Sequence, residues 1–406
     1  MEAIRRFRLD FCDLPTMIEN VDVLLRIVNV KIVKSNDRPI NIIILLLWVT
    51  SLICYYHAYI VSTIWFVFIR CPETGDLIAA SLIFSLAACS QPSFITMFQM
   101  IIYKKKVQGL IENVQGFNYF VKPDTTFSKN IHTHLRYIKK RAMVVWITMV
   151  VDGMVYILIP IIMPGRHLPE DLQIIYGLEP MFKSPNFEIA MIITALGVYI
   201  CVFSLANVTA MNIVILGYIE AQMIALSKEI KNVWNSAEYS YRKHAISYKS
   251  SGSKTIIKNI YVNEKLKEII YFHVKCIEAL KYYDNVFNVT KAIEFLLIVL
   301  GIISELLGGV ESTYLEMLFT VVLISIECIS GQKLKDASMM FERAVYDCKW
   351  ENFDINNRKT ILFMLPSAQR TLKITAGGTT PLDFRCMLAV FRFSYSTYNT
   401  LRLMVK

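Results

Sequence analysis

Seven stretches of the chain are continuously apolar and are separated by polar segments. They are Ile40–Ile69, Leu77–Tyr103, Met143–Met163, Ile189–Ile219, Ala292–Val310, Leu315–Ser330 and Pro381–Met404. A hydrocarbon core about 30 Å thick is crossed by roughly 20 helical residues, so each stretch predicts a membrane span. The first exceeds that length and predicts a tilted or protruding helix. The sixth is short and the seventh is the most polar. Below the fifth span, Leu266, Ile269, Ile270, Phe272, Val274, Ile277 and Leu280 alternate with charges across Asn263–Asn285. That pattern predicts an amphipathic helix continuing out of the membrane. Tyr239–Ser253, rich in Ser, Tyr and Lys, predicts a flexible loop. Pro164–Glu188 holds Pro164, Pro169, Pro180 and Pro185, with Pro160 just before it, and predicts a compact irregular lid.

Composition agrees with this class. Of 406 residues 55% are hydrophobic, above the roughly 45–50% of soluble domains. Mean hydropathy is +0.44. The net charge of +10 does not imply nucleic acid, because the basic residues lie between apolar runs rather than on one domain. Residues before the first span carry seven Lys and Arg, Lys104–Ala142 nine, Glu220–Lys291 twelve and Gly331–Thr380 eight; the alternate loops hold only Arg70, Arg166 and Lys183. The positive-inside rule then places the N-terminus and the even-numbered loops in the cytoplasm and Lys406 outside. The predicted class is an all-α polytopic membrane protein with seven transmembrane helices. Its segments are a cytoplasmic 1–39, helices one to six with cytoplasmic extensions over 40–330, a cytoplasmic 331–380, and a seventh helix over 381–406. With no apolar segment before Ile40, the first span is expected to be its own insertion signal. The nine cysteines fall mostly in spans or cytoplasmic segments, which predicts no disulfide framework. The sequons at Asn207 and Asn288 lie in a span and on the cytoplasmic side, so neither is expected to carry glycan.

The chain has no Gly-x-Ser-x-Gly, His-Glu-x-x-His, Walker A or Gly-x-Gly-x-x-Gly signature, so no enzyme is expected. His132 and His134 are too few for a metal site. Ionisable residues inside spans carry more information, because each costs roughly 2.5–3.5 kcal/mol at the centre of a lone helix. Asp152, Glu305, Glu327, Arg385, Arg392 and Arg402 stand among them. Two readings stand for them: a structural pair, such as Arg392 with Glu305 or Glu327, or a functional role. In the seventh span Ser394, Tyr398 and Leu401/Arg402 recur at helical spacing as one polar stripe. It faces either a water-filled path or other helices, where Ser and Thr serve packing. Phe84, Tyr156, Tyr199 and Phe203 lie in the outer halves of spans two to four. They line a small-ligand cavity or pack as ordinary aromatics, and Pro160 would kink the third span to open room there.

The last quarter of the chain carries four blocks in order: Gly331-Gln332-Lys333-Leu334, Phe363-Met364-Leu365, Thr375-Ala376-Gly377-Gly378 and Ser394-Tyr395-Ser396-Thr397-Tyr398. These blocks resemble the C-terminal signature of the insect odorant receptor family, and the length and span number also fit it. The resemblance implies an odorant-gated, non-selective cation channel in the plasma membrane of olfactory sensory neurons. It implies a heteromeric tetramer with the odorant receptor co-receptor, surrounded by membrane lipid, without cofactor or nucleic acid. A small volatile ligand would sit in the outer half of the bundle, with Phe84, Tyr156, Tyr199 and Phe203 as candidate contacts. The seventh helix would line a central pore with Ser394, Tyr398 and Arg402, the last two near the outer gate. Gly331–Gly378 would form an anchor where subunits meet, with Trp350 and Phe363 as packing residues. The chain lacks the long insertion in Glu220–Lys291 expected of the co-receptor, so it resembles a ligand-tuning subunit. The gustatory receptor family is the nearest rival, but its Thr-Tyr…Gln-Phe ending is absent. A G-protein-coupled receptor requires an outside N-terminus, and a transporter an internal repeat.

Overall fold

The computed structural model describes residues 7–33, 41–247 and 254–405. Arg5, Arg6, Lys34, Arg38, Ile40, Lys249 and Lys406, which enter the charge count and the span limits above, lie outside the described residues. The helices are α1 (Leu14–Ile27), α2 (Ile42–Thr74), α3 (Leu77–Ile102), α4 (Lys104–Tyr119), α5 (Thr126–Ile162) and α6 (Asn186–Lys231). They continue as α7 (Val233–Ser247), α8 (Lys254–Gly308), α9 (Val310–Tyr346), α10 (Ile355–Ala368) and α11 (Phe384–Val405). A short hairpin of β1 (Thr375–Ala376) and β2 (Thr380–Pro381) joins α10 to α11.

Local chemistry starts these helices. Asp13, Asp76, Thr125 and Asp354 each accept a backbone N–H of the first turn of α1, α3, α5 and α10, satisfying donors that a helix start leaves free. Buried Asp22 in α1 also accepts the Ile32 and Val33 amides at 3.0 and 3.1 Å and the Arg26 guanidinium at 2.8 Å, folding the following segment back along its helix.

Six helices, α2, α3, α5, α6, α8 and α9, are long and apolar enough to cross a membrane; α11 has 22 residues but a more polar composition. Most run well past the apolar stretches. The extension of α8 buries Leu266, Ile269, Phe272, Cys276, Ala279, Leu280 and Tyr283, as its amphipathic pattern predicts. Tyr239–Ser253 departs from expectation. As far as Ser247 it is helix α7, which buries Val233 and Ala237 and packs on α8; residues 248–253 lie outside the described residues.

The central element is α6, buried almost continuously from Val202 to Ile230, with α2, α3, α5, α8 and α9 around it. The turn at Gly75, the segment 163–185 and the turn at Gly309 gather at one end of the bundle, called here the lid end. The helical extensions and α10 form the opposite, basic end.

The hairpin seats the last helix. Gly377 and Gly378 make its turn at φ +63° and +74°, a region open to glycine. Asp284 of α8 accepts both the amide and the hydroxyl of Thr375 at 2.8–3.0 Å, and the Gly377 amide donates to the Asn288 carbonyl at 2.8 Å. Asp383 then caps α11 through the Arg385 and Cys386 amides, and Lys335 of α9 meets the same carboxylate at 2.8 Å. Gly331 passes so close to the hairpin that a Cβ there would overlap the Leu382 carbonyl oxygen. Two of the four blocks of the C-terminal quarter, Gly331–Leu334 and Thr375–Gly378, thus lie at the joints between α9, α8 and the hairpin that leads into α11.

Candidate functional site

In the lid half, α2, α3, α5, α6 and α9 enclose a cavity of about 70 Å³. Its apolar wall comprises Leu86, Val198, Val202, Leu315 and Phe319, and its polar wall Tyr59, Cys89, Ser90, Asp152, Tyr156, Cys201 and Glu316. Glu316 accepts from Tyr156 at 3.4 Å and, through its other oxygen, from Ser85 at 3.3 Å. Behind Cys89, Glu305 accepts from that thiol at 3.1 Å and from the Thr320 hydroxyl at 3.0 Å; its second carboxyl oxygen is buried without a partner. A mixed apolar and polar cavity of this kind suits a small ligand held by a few polar contacts.

The lid closes over this half through backbone groups that α2 exposes. Two π-helical turns, His57–Val61 and Phe66–Arg70, interrupt α2. Such turns displace carbonyls and side chains from the α-helical ladder and recur at functional sites. Here the Ala58 carbonyl accepts from Gln173 at 3.3 Å, Ser62 accepts the Tyr176 amide at 3.1 Å, and the His57 ring bonds the Tyr176 carbonyl at 3.1 Å. Leu168, Ile175 and Met181 form a small core with Ala190 of α6. The lid is compact and irregular, as its prolines predict. Burial pushes the Glu170 carboxyl up to about 7, and a hydrogen bond to Asp171 holds the His167 imidazole above its ordinary value.

The four aromatic candidates separate. Tyr156 stands on the cavity wall. Phe84 is 40% exposed on the outer face of α3. Tyr199 and Phe203 form a tilted ring pair, centroids 5.0 Å apart, on the side of α6 that grips α1, where the Tyr199 hydroxyl donates to the Ile27 carbonyl at 3.5 Å. Beside them Trp146 donates to Asn207 at 2.7 Å, and Asn207 donates to the Leu24 carbonyl at 2.8 Å. These side chains satisfy the carbonyls that the end of α1 leaves free. Pro160 lies in the last turn of α5, two residues from its end, so its effect is confined to that end. Tyr59 and Glu316 were not singled out from the sequence. For Glu316 a signal exists: it stands three helical turns before Glu327, on the same face of α9.

A larger, almost wholly apolar cavity of about 310 Å³ lies between α1, α5 and α6, lined by residues that include Met17, Val21, Met143, Trp146 and Val214. It offers few polar contacts: Lys139, on its wall, is already bound to the Arg8 and Phe11 carbonyls at 2.8 and 2.5 Å.

The span charges find partners other than Arg392. Lys291, 4% exposed, meets Glu294 of its own helix at 2.9 Å and Glu327 of α9 at 2.7 Å, and Thr96 of α3 donates to Glu294. Arg392 is exposed on α11 and forms neither of the expected pairs, because Lys291 occupies Glu327 and thiol and hydroxyl donors occupy Glu305.

On α11 the expected stripe divides. Ser394 is fully buried, facing α8 and α9, and its hydroxyl has no partner. Tyr398 lies half-buried along the same column, and Arg402, exposed one turn on, donates to its hydroxyl at 3.2 Å. The opposite face, Arg385, Arg392, Ser396 and Asn399, is uncovered and polar. At the basic end Trp350 is 41% and Phe363 81% exposed, with Ile355 and Leu362 exposed on the same short helix.

The profile of the family described as 7tm Odorant receptor matches residues 76–395. Odorant receptor 30a of Drosophila melanogaster is 32% identical over 59 residues, 14% of this chain and 16% of that protein. Odorant receptor 85c of Drosophila melanogaster is 22% identical over 147 residues, 34% of this chain and 38% of that protein. The chain therefore aligns with well under half the length of either relative. Among solved structures, the insect olfactory receptor OR5 from Machilis hrabei superposes with a TM-score of 0.73 at 14% identity, covering 96% of this chain and 98% of that one. The same receptor in complex with eugenol gives 0.71 at 15% identity, covering 97% and 99%. At these identities the likeness is one of fold.

Proposed function

Because the chain belongs to the 7tm odorant receptor family, we propose that it is the ligand-tuning subunit of an odorant-gated cation channel. It is a multi-pass membrane protein, and the proposal places it in the plasma membrane with the basic end in the cytoplasm and the lid end outside. A small volatile molecule enters the lid-half cavity, binding one arrangement of the helices more tightly than the other and so shifting their populations. OR5 from Machilis hrabei, which shares the fold, is known in complex with eugenol.

The observation that carries the reading is the spatial separation of two features on shared helices. Leu315, Glu316 and Phe319 of α9 line the cavity and Glu305 of α8 lies behind its Cys89 wall, and the same two helices support α11, whose opposite face is uncovered and carries Arg385, Arg392, Ser396 and Asn399. Ligand binding at the first feature is thereby connected to a path along the second. The pore face is assigned to Arg392, Ser396 and Asn399 rather than to the column of buried Ser394 and half-buried Tyr398, with exposed Arg402 near its outer end. Rings of arginine select anions. A ring of four such faces would oppose cation passage, which favours a heteromeric tetramer whose co-receptor supplies most of the lining. The exposed Trp350, Leu362 and Phe363 are the apolar surface at which subunits would meet.

Membrane current in cells expressing the chain, with and without the odorant receptor co-receptor, during exposure to a panel of volatiles tests the reading. Inward cation current that requires both subunits is expected. A G-protein-dependent signal in place of current would sink it.

A further inference from the structure

Acidic groups at the lid end are not matched by basic ones. Asp152 and Glu316 line the cavity, Glu305 lies behind its Cys89 wall, and Glu170 of the lid is within electrostatic reach of Glu316. Toward the basic end, the buried acids Glu294 and Glu327 share Lys291. No Lys or Arg among the described residues plays that part at the cavity. Arg70, near the end of α2, pairs with Glu179 of the lid at 3.6 Å, and Arg166 of the lid donates to the Phe182 carbonyl at 2.7 Å.

The groups on the cavity wall remain available. Among the described residues Glu316 is met only by the hydroxyls of Ser85 and Tyr156, at distances long for a carboxylate. Asp152 makes no hydrogen bond or ion pair among the described residues. Tyr59, 4% exposed, also lines the cavity, and its hydroxyl makes no hydrogen bond among the described residues. An ionisable residue inside a span that lacks a protein partner marks a ligand or ion site. No group of three His, Cys, Asp or Glu side chains among the described residues converges as a metal ion requires. Dispersed acids on a partly apolar wall suit an organic cation instead.

We propose that this cavity takes small aliphatic amines, the ammonium pairing with Asp152, the wall acid without a partner among the described residues, and the hydrocarbon resting on Leu86, Val198 and Phe319, while Glu316 adds a second negative group to the same wall. The assignment rests on the cavity being the receptor's ligand site, and the volume of about 70 Å³ limits it to short chains.

The test uses the full-length chain in nanodiscs of zwitterionic lipid, titrated with n-butylamine, n-butanol and n-pentane and followed by thermal stabilisation. The amine is expected to bind at least about tenfold more tightly than the alcohol, as charge-assisted hydrogen bonds do over neutral ones. Asp152→Asn should remove most of the preference for the amine over the alcohol, and Glu316→Gln should reduce it by less. Equal binding of amine and alcohol by the natural chain, or no binding of the amine, overturns the proposal without any variant. So does undiminished amine binding in the double variant. Current from the chain with its co-receptor separates the two readings. Amine binding without current upholds the site and removes the channel. Current evoked by n-butanol or n-pentane with no preference for the amine keeps the receptor and overturns the amine class.

Discussion

Lys335 and Asp383, 48 positions apart in sequence, meet at 2.8 Å at the base of α11. The same carboxylate accepts the first free amides of that helix at 3.0 and 3.2 Å, so one side chain both starts α11 and fastens it to α9. Loss of a helix cap costs about 1 kcal/mol. Asp383→Ala should therefore speed hydrogen exchange at amides 385–387 roughly fivefold or more, and Lys335→Met by less, as read by mass spectrometry. Unchanged exchange in Asp383→Ala would remove the capping role.

Gly331→Ala should be more damaging. The new methyl would meet the Leu382 carbonyl, a backbone atom held by the hairpin, which cannot retreat as a side-chain tip does. Overpacking of this kind costs about 1–3 kcal/mol. A lower melting temperature in detergent is expected, and a melting temperature equal to that of the natural chain would show that α9 and the hairpin separate freely.

Lys291→Met leaves Glu294 and Glu327 buried without a cation. Breaking a buried pair from one side costs about 3–5 kcal/mol, whereas replacing the whole group can be neutral. The single variant should give little folded protein by size-exclusion fluorescence. The triple variant Lys291→Met, Glu294→Gln, Glu327→Gln should recover much of the loss. Recovery no better than the single variant would show that the charges do more than balance one another.

The lid should loosen as pH rises. Burial raises Glu170 from 4.5 to about 7. The folded lid thus holds this proton more tightly than the open one. Its stabilising contribution is complete below pH 4.5 and is lost as pH climbs to about 7. His167, raised by Asp171, changes in the same direction. Protection factors for amides 168–178 should fall between pH 5 and pH 8, and Glu170→Gln should flatten most of that fall. A rise with pH would refute the assignment.

What was legible in the sequence follows from what water and lipid forbid. The spans had to be apolar, and the amphipathic face of Asn263–Asn285 had to be buried, so both could be read. The ends of helices could not, because α5, α6 and α9 continue through polar segments that are stabilised by one another. Tyr199 and Phe203 lie off the cavity wall, and the sequence could not show it for a related reason. On a helix as buried as α6 every face is apolar, and periodicity cannot say which one meets a cavity. Ser394 was polar like its neighbours on both sides of α11, so the pattern marked a stripe without distinguishing the packed column from the uncovered one. Lys291 was counted with a charged segment, although it lies one helical turn inside the buried core.

The length of α8 has a mechanical consequence. Its 55 residues, at 1.5 Å each, make a rod about 80 Å long. Near one end Glu305 stands behind the cavity, near the middle Asp284 holds the hairpin, and near the other Asn259 accepts the Asp354 amide at the start of α10. A tilt of about 3° pivoting at the lid would sweep the far tip through roughly 4 Å, while the cavity itself changed by a fraction of that. Such a tilt would gear the chain: a displacement small around a bound molecule would be large at the opposite extremity. A distance probe placed there would register occupancy more sensitively than one beside the ligand.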